Sequence, residues 1–185
     1  MRERPILLNG DMVRAVLNGS KTQTRRILTP HQLKMIEAAA HAGECYPLES
    51  GHQHANSQSY YREWCPFGLP GDRLWVREAW ARYNIDQNSH DMAYRATTPD
   101  DWPKEGRWRP SIHMPRWASR ITLEITGVRV ERLQDINAED AAAEGITGRA
   151  KMHDFGVLWS SIYGDESWQA NPWVWVIEFK RVEGE

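Results

Sequence analysis

Residues 119–132 alternate apolar and polar side chains more regularly than any other stretch of the chain. Ile121, Leu123 and Ile125 fall on one side, and Thr122, Glu124 and Thr126 on the other. Successive strand side chains point to opposite faces, so the pattern predicts a half-buried β-strand. A second long strand is predicted over residues 173–180, where Trp173, Val174, Trp175, Val176, Ile177 and Phe179 crowd together. Residues 73–77 alternate in the same way, and residues 5–8 read as a short strand. Single helices and long connections separate these segments. That spacing predicts an α+β fold rather than a doubly wound sheet.

The helices announce themselves by their ends. Asp11 is expected to cap a helix with Met12, Val13, Val16 and Leu17 on one side and Gly19 as its stop. Thr29-Pro30 opens a second helix running to about Ala40. Asn137 with Asp140 forms a capping pair before a short helix over residues 138–143, and another helix is expected over residues 153–163. Residues 41–64 are polar, histidine-rich and without pattern, and are expected to form a long loop. Turn residues from Cys65 to Asp72 deliver the chain into the strand at Arg73. An insertion is placed near residues 83–118, loose at first, with a short strand at residues 92–95. No repeat or Gly-rich phosphate fingerprint is present, so Rossmann and P-loop readings have no support.

At 185 residues the chain can bury one core, and a single domain over residues 1–185 is expected. The first apolar run, Ile6-Leu7-Leu8, is too short for a signal peptide, and no stretch reaches the length of a membrane span. A cytoplasmic protein with reduced Cys45 and Cys65 is the expectation. The net charge of −2 conceals an asymmetry. Arg107, Arg109, Arg116 and Arg120 lie together with no acid among them, whereas Glu131, Asp135, Glu139, Asp140 and Glu144 oppose a single Arg132. A local basic face, not the total charge, therefore decides whether nucleic acid is a partner.

The segment Asn18-Gly19-Ser20-Lys21-Thr22-Gln23-Thr24-Arg25-Arg26 holds cations, hydroxyls and amides with no large apolar side chain. Donors this dense suit a polar or anionic ligand. Together with Pro70-Gly71-Asp72-Arg73-Leu74-Trp75-Val76-Arg77-Glu78, it resembles the ASCH domain family. Within that family it is most similar to bacterial and prophage-borne members with a tryptophan-rich insertion. The resemblance extends to Trp108-Arg109-Pro110-Ser111-Ile112-His113-Met114-Pro115, Ala143-Glu144-Gly145-Ile146 and Trp173-Val174-Trp175-Val176-Ile177-Glu178-Phe179.

The resemblance implies a PUA-like fold, a small, mostly antiparallel β-barrel flanked by helices, with RNA or a modified nucleoside bound in a cleft beside it. It also implies an amidohydrolase acting on an N4-acetylcytidine-type amide. Carried over by motif, Lys21 is the base, Thr24 the nucleophile and Glu144 the proton carrier. The chemistry is coherent: threonine needs a base, and burial can supply a neutral lysine. One obstacle is geometric, because residues three apart on a regular strand face opposite sides. Lys21 and Thr24 converge only if the chain bends at Thr22-Gln23.

Two alternatives stand beside it, a non-catalytic RNA or modified-base reader and a metal-independent ribonuclease with His113 as acid or base. Ligand contacts are expected from Thr22, Arg26, Arg77, Glu78, Arg109, His113 and Arg116. The arginines suit phosphates, and Trp108 and Trp117 suit unpaired bases. The bland alternative puts the tryptophans in the core and pairs the arginines with Glu131, Asp135 or Glu139. Trp75, Trp173 and Trp175 sit in strand patterns and are expected in the core. Cys45, His52, His54 and Cys65 lack a paired Cys-x-x-Cys knuckle, so no metal is expected, and no cofactor.

Overall fold

The structure, a computed structural model, describes residues 1–83 and 91–184. Its elements run β1 (Glu3–Leu7), α1 (Gly10–Leu17), β2 (Gln23–Ile27), α2 (Pro30–His41), α3 (Leu48–Gly51), α4 (Ala55–Tyr61), β3 (Arg73–Arg77), β4 (Trp80–Arg82) and β5 (Met92–Tyr94). The chain then continues through β6 (Thr122–Arg132), α5 (Ala138–Ala143), α6 (Lys151–Tyr163), α7 (Asp165–Gln169) and β7 (Trp173–Arg181). Five strands form one sheet in the order β1-β3-β6-β7-β2, and β4 pairs with β5 in a separate hairpin. All pairings in the sheet are antiparallel except β1 with β3.

Strand β7 shows why the tryptophan-rich terminus has no polar face. Trp173, Trp175, Ile177 and Phe179 enter the main core, with Val13 and Val16 of α1 and Ile36 of α2. Val174 and Val176 point the other way, against Phe155 and Trp159 of α6. A strand buried on both faces reads as a continuous apolar run. The indole of Trp175 donates to Gln32 at 3.1 Å, so its buried N–H is satisfied.

The fold is α+β, but the sheet is not closed into the barrel that the resemblance implies. Strands β1 and β2 stand at its two edges, unpaired to each other among the described residues. Pro5 in β1 has no N–H to offer a further neighbour, which confines it to an edge. Across the seam the Arg26 guanidinium of β2 donates to the Leu7 carbonyl of β1 at 2.7 Å, a side chain standing where a ladder would be.

Three local expectations are corrected. Asn9, not Asp11, caps α1, accepting from Met12 N at 2.9 Å, because Asn9 carries the extended backbone a cap needs. Residues 41–64 are not a long loop; they form α3, α4 and a 3-10 turn. Tyr61 is fully buried there, and the Gln58 amide both accepts from Val130 N at 2.8 Å and donates to Val130 O at 2.7 Å. The insertion is organised around the β4–β5 hairpin and a small core of Trp80, Met114 and Ala118. Its residues 84–90 lie outside the described ones. No helix among the described residues is long and apolar enough to cross a membrane.

Candidate functional site

Strand alternation places Lys21, Gln23 and Arg25 on the α6 side of the sheet, because Arg25 pairs with Val176 and Gln23 with Glu178. Helix α5 ends beside them. Thr22 N donates to Ala143 O at 2.8 Å, and Lys21 forms a bridge with Glu144, the residue closing α5. Gly145 then turns with φ +97°, where a Cβ would meet the Ala15 Cβ at 3.0 Å.

Two separate sequence signals, the polar segment and the Glu144-Gly145 pair, thus meet in one buried contact. Lys21 Nζ donates to Glu144 Oε2 at 2.6 Å, Gln23 O at 2.8 Å and Glu144 O at 3.1 Å. These acceptors use all three protons of an ammonium.

The contact belongs to a larger network that the sequence reading missed. Arg25, fully buried, donates to Glu144 Oε1 at 3.2 Å, Glu131 Oε1 at 2.6 Å, Asp140 Oδ2 at 3.2 Å and the Gln23 amide oxygen at 2.5 Å. Arg129 binds Glu131 at 3.1 Å and Glu178 at 2.6 Å. Cations from β2 and β6 are matched against Glu131, Asp140, Glu144 and Glu178. A legible signal existed: Arg25 shares the period-2 face of Lys21 and Gln23, and Arg129 and Glu131 share one face of the predicted strand. Burial pulls the Lys21 amine below its ordinary value, and the Glu144 carboxylate opposes that shift. Lys21 and Glu144 side chains are only 1% and 4% exposed, so the pair is sealed as folded.

Thr24 is not brought to this pair. It pairs with Ile177 and shares the opposite, main-core face of the sheet, buried at 1% exposure. Thr22 is exposed, and its backbone is held by Ala143 and by Phe179 N at 2.9 Å.

The open seam between β1 and β2 forms a different site. A cleft of about 550 Å³ lies there, lined by Ile6, Leu8, Met12, Phe67 and Tyr163 together with Arg26 and Arg77. Arg77 lies over the Trp75 ring at 4.7 Å, and its Nε is buried without a hydrogen-bond partner. Among the described residues no carboxylate pairs with Arg77 or with Arg26. Several other arginines do have carboxylate partners. Arg116 pairs with Glu3 at 3.0 Å, Arg120 with Glu78 at 2.8 Å and Arg132 with Glu49 at 2.6 Å. A buried guanidinium donor left unpaired costs about 1–3 kcal/mol, and Arg77 carries one at the border of this cleft.

A second cleft of about 440 Å³ shares Leu8, Asn9 and Ser111 with the first and leads to Glu78 and Arg95. Glu78 is buried, and both its oxygens accept from Arg120. Arg109 is exposed, lying over the Trp80 ring at 5.0 Å, and His113 is exposed in a 3-10 turn, Ser111–His113. Trp75, Trp173 and Trp175 are in the core, while Trp117 is 60% exposed.

Two solved structures resemble the chain. A crystal structure of hypothetical protein PH0355 is 10% identical, with a TM-score of 0.45 over 98% of this chain and 100% of that one. An ASCH domain from Lactobacillus crispatus JV V101 is 12% identical, with a TM-score of 0.44 over 97% of this chain and 79% of that one. No family model and no curated protein matches the chain. Likeness at this level transfers neither a family nor an activity.

Proposed function

We propose that the chain binds RNA or a nucleotide in the seam between β1 and β2, with Arg77 and Arg26 on the phosphate and Phe67 and Tyr163 beside the base. The Arg77 guanidinium carries this reading: it borders an apolar-walled cleft and has a buried donor that no described residue satisfies. Phosphate meets a guanidinium in bidentate fashion, and aromatic rings suit a nucleobase. The ASCH resemblance of the surrounding motifs points to the same ligand class.

Calorimetric titration with 5′-CMP and with cytidine tests it. CMP is expected to bind more tightly than cytidine, and Arg77→Ala to weaken CMP by about tenfold or more, the scale of a charge-assisted hydrogen bond. Equal affinity for the two ligands, or no change in Arg77→Ala, defeats the reading.

The Lys21–Glu144 contact supports a second reading, hydrolysis of an N4-acetylcytidine-type amide. Burial lowers the Lys21 pKa in the direction a base requires. The reaction also requires the sealed pair to open and Thr24 to reach the Lys21 side of the sheet. Cytidine release from N4-acetylcytidine, lost in Lys21→Ala and Thr24→Ala, is its expected signature; no release removes it.

A further inference from the structure

The insertion has its own recess of about 490 Å³, lined by Arg82, Tyr83, Asp101, Trp102, Arg107 and Arg109 among others. We propose that this recess is a second site, a stacking platform for the bases of single-stranded nucleic acid, distinct from the seam cleft.

Three aromatic rings form a stacked series at the recess, two of them, Tyr83 and Trp102, in its wall. Trp102 and Trp108 stack at 4.0 Å between centroids and 11° between planes, and Tyr83 stacks on Trp102 at 6.0 Å and 26°. Gly106 passes so close to Trp102 that a Cβ there would meet the indole at 2.5 Å. The tryptophan is therefore held by a partner ring and by a backbone contact that only glycine permits. These rings are not needed for the local core, which is made of Trp80, Met114 and Ala118.

The charge around the rings matches a polyanion. Arg82, Arg107 and Arg109 are exposed, and none of them has a carboxylate partner among the described residues. Two lie on aromatic faces instead, Arg82 over Trp117 at 5.4 Å and Arg109 over Trp80 at 5.0 Å. Asp101 is the carboxylate of the recess, and the Tyr83 hydroxyl hydrogen-bonds to it. Among the described residues lining the recess, three cations face one occupied acid. Stacked rings rimmed by guanidinium groups are how unpaired bases are held without sequence preference.

The two sites are joined by short lengths of chain. Arg77 borders the seam and Arg82 the recess; Arg109 borders the recess, and Ser111 the seam. Five residues span at most about 18 Å, so one strand of several nucleotides reaches both. This inference takes its ligand class from the proposed function, but it depends on different residues.

Fluorescence anisotropy with a labelled single-stranded oligo(U) 12-mer, its duplex with oligo(A), and 5′-CMP by calorimetry separates the two. The 12-mer is expected to bind more tightly than the duplex. Trp102→Ala and Arg107→Glu with Arg109→Glu are expected to weaken the 12-mer about tenfold or more and to leave CMP unchanged. Arg107→Ala should also reduce the salt dependence of 12-mer binding by about one phosphate's worth. Both arginines are exposed, so these variants carry the test even if Trp102→Ala does not fold. Unchanged 12-mer affinity and salt slope in the arginine variants, or duplex binding as tight as single strand, overturns the platform. Loss of CMP binding in Arg77→Ala alongside such a result leaves the seam reading standing. The opposite pattern leaves the platform standing alone.

Discussion

The Lys21 amine lies 2.6 Å from Oε2 of Glu144, and Glu144 Oε1 accepts from Arg25 at 3.2 Å, so one buried carboxylate is shared by two basic side chains, one just before β2 and one within it. Attraction inside a protein seldom outweighs the cost of desolvating the charges, but removing one partner strands the other. Glu144→Gln is therefore expected to destabilise the fold by about 3–5 kcal/mol. Urea unfolding measures this. A double-mutant cycle with Lys21→Met should show strong coupling, because the second substitution removes a charge already stranded. A loss below about 1 kcal/mol would mean that the pair behaves like an exposed ion pair.

A pH effect is expected at the turn before β3. Asp72 accepts from Arg2 N at 2.8 Å and Leu69 N at 3.1 Å, and these backbone donors hold its carboxyl below the ordinary value of 3.8. With the folded pKa below the unfolded one, its stabilisation is complete above about 3.8. It disappears as the pH falls through the lower folded value. Asp72→Asn should therefore lose more stability at neutral pH than at pH 2. Chemical unfolding of both proteins across that range checks it; a difference independent of pH would count against the turn's role.

How much of this was legible depends on whether a signal was local. The strands at Arg73 and Thr122 declare themselves by alternation and that at Trp173 by its apolar run, and Thr29 with Gln32 forms a capping box in the structure. Lys21 and Glu144 were singled out separately, and the period-2 rule already separated Lys21 from Thr24. What escaped was non-local. Residues 41–64 lack a helical stripe because short α3 and α4 bury only Gly51, Ser57 and Tyr61. The seam cleft depends on β1 and β2 becoming unpaired edges, which no single segment encodes. Arg77 is among the ligand contacts expected from sequence, but its place at the seam and its buried, unpartnered Nε depend on the assembled sheet.

The docking of residues 41–64 makes a third prediction. Gln58 acts as both donor and acceptor to the Val130 backbone, like an added rung on β6. Gln58→Ala leaves buried backbone groups unsatisfied, at a cost of about 1–3 kcal/mol. Hydrogen exchange is the sharper measurement: the Val130 amide should exchange much faster in the variant, while amides in β7 change less. Equal protection of Val130 in both proteins would show that the segment is held by Tyr61 and its apolar neighbours instead.

The insertion's stacked pair predicts the effect of a single methyl group. Gly106→Ala places a Cβ within 2.6 Å of two Trp102 ring atoms, closer than any real contact, so either the indole or the backbone must move. Overpacking of this kind costs about 1–3 kcal/mol when it cannot relax. Here the strain falls on the Trp102–Trp108 stack and not on the main core, which lies under the sheet. Near-ultraviolet circular dichroism should lose the signal of two closely stacked indoles, whereas far-ultraviolet dichroism and the urea midpoint change little. A large drop in the midpoint would show that the insertion and the sheet unfold as one unit. An unchanged near-ultraviolet spectrum would mean that the backbone at Gly106 yields while the rings stay stacked.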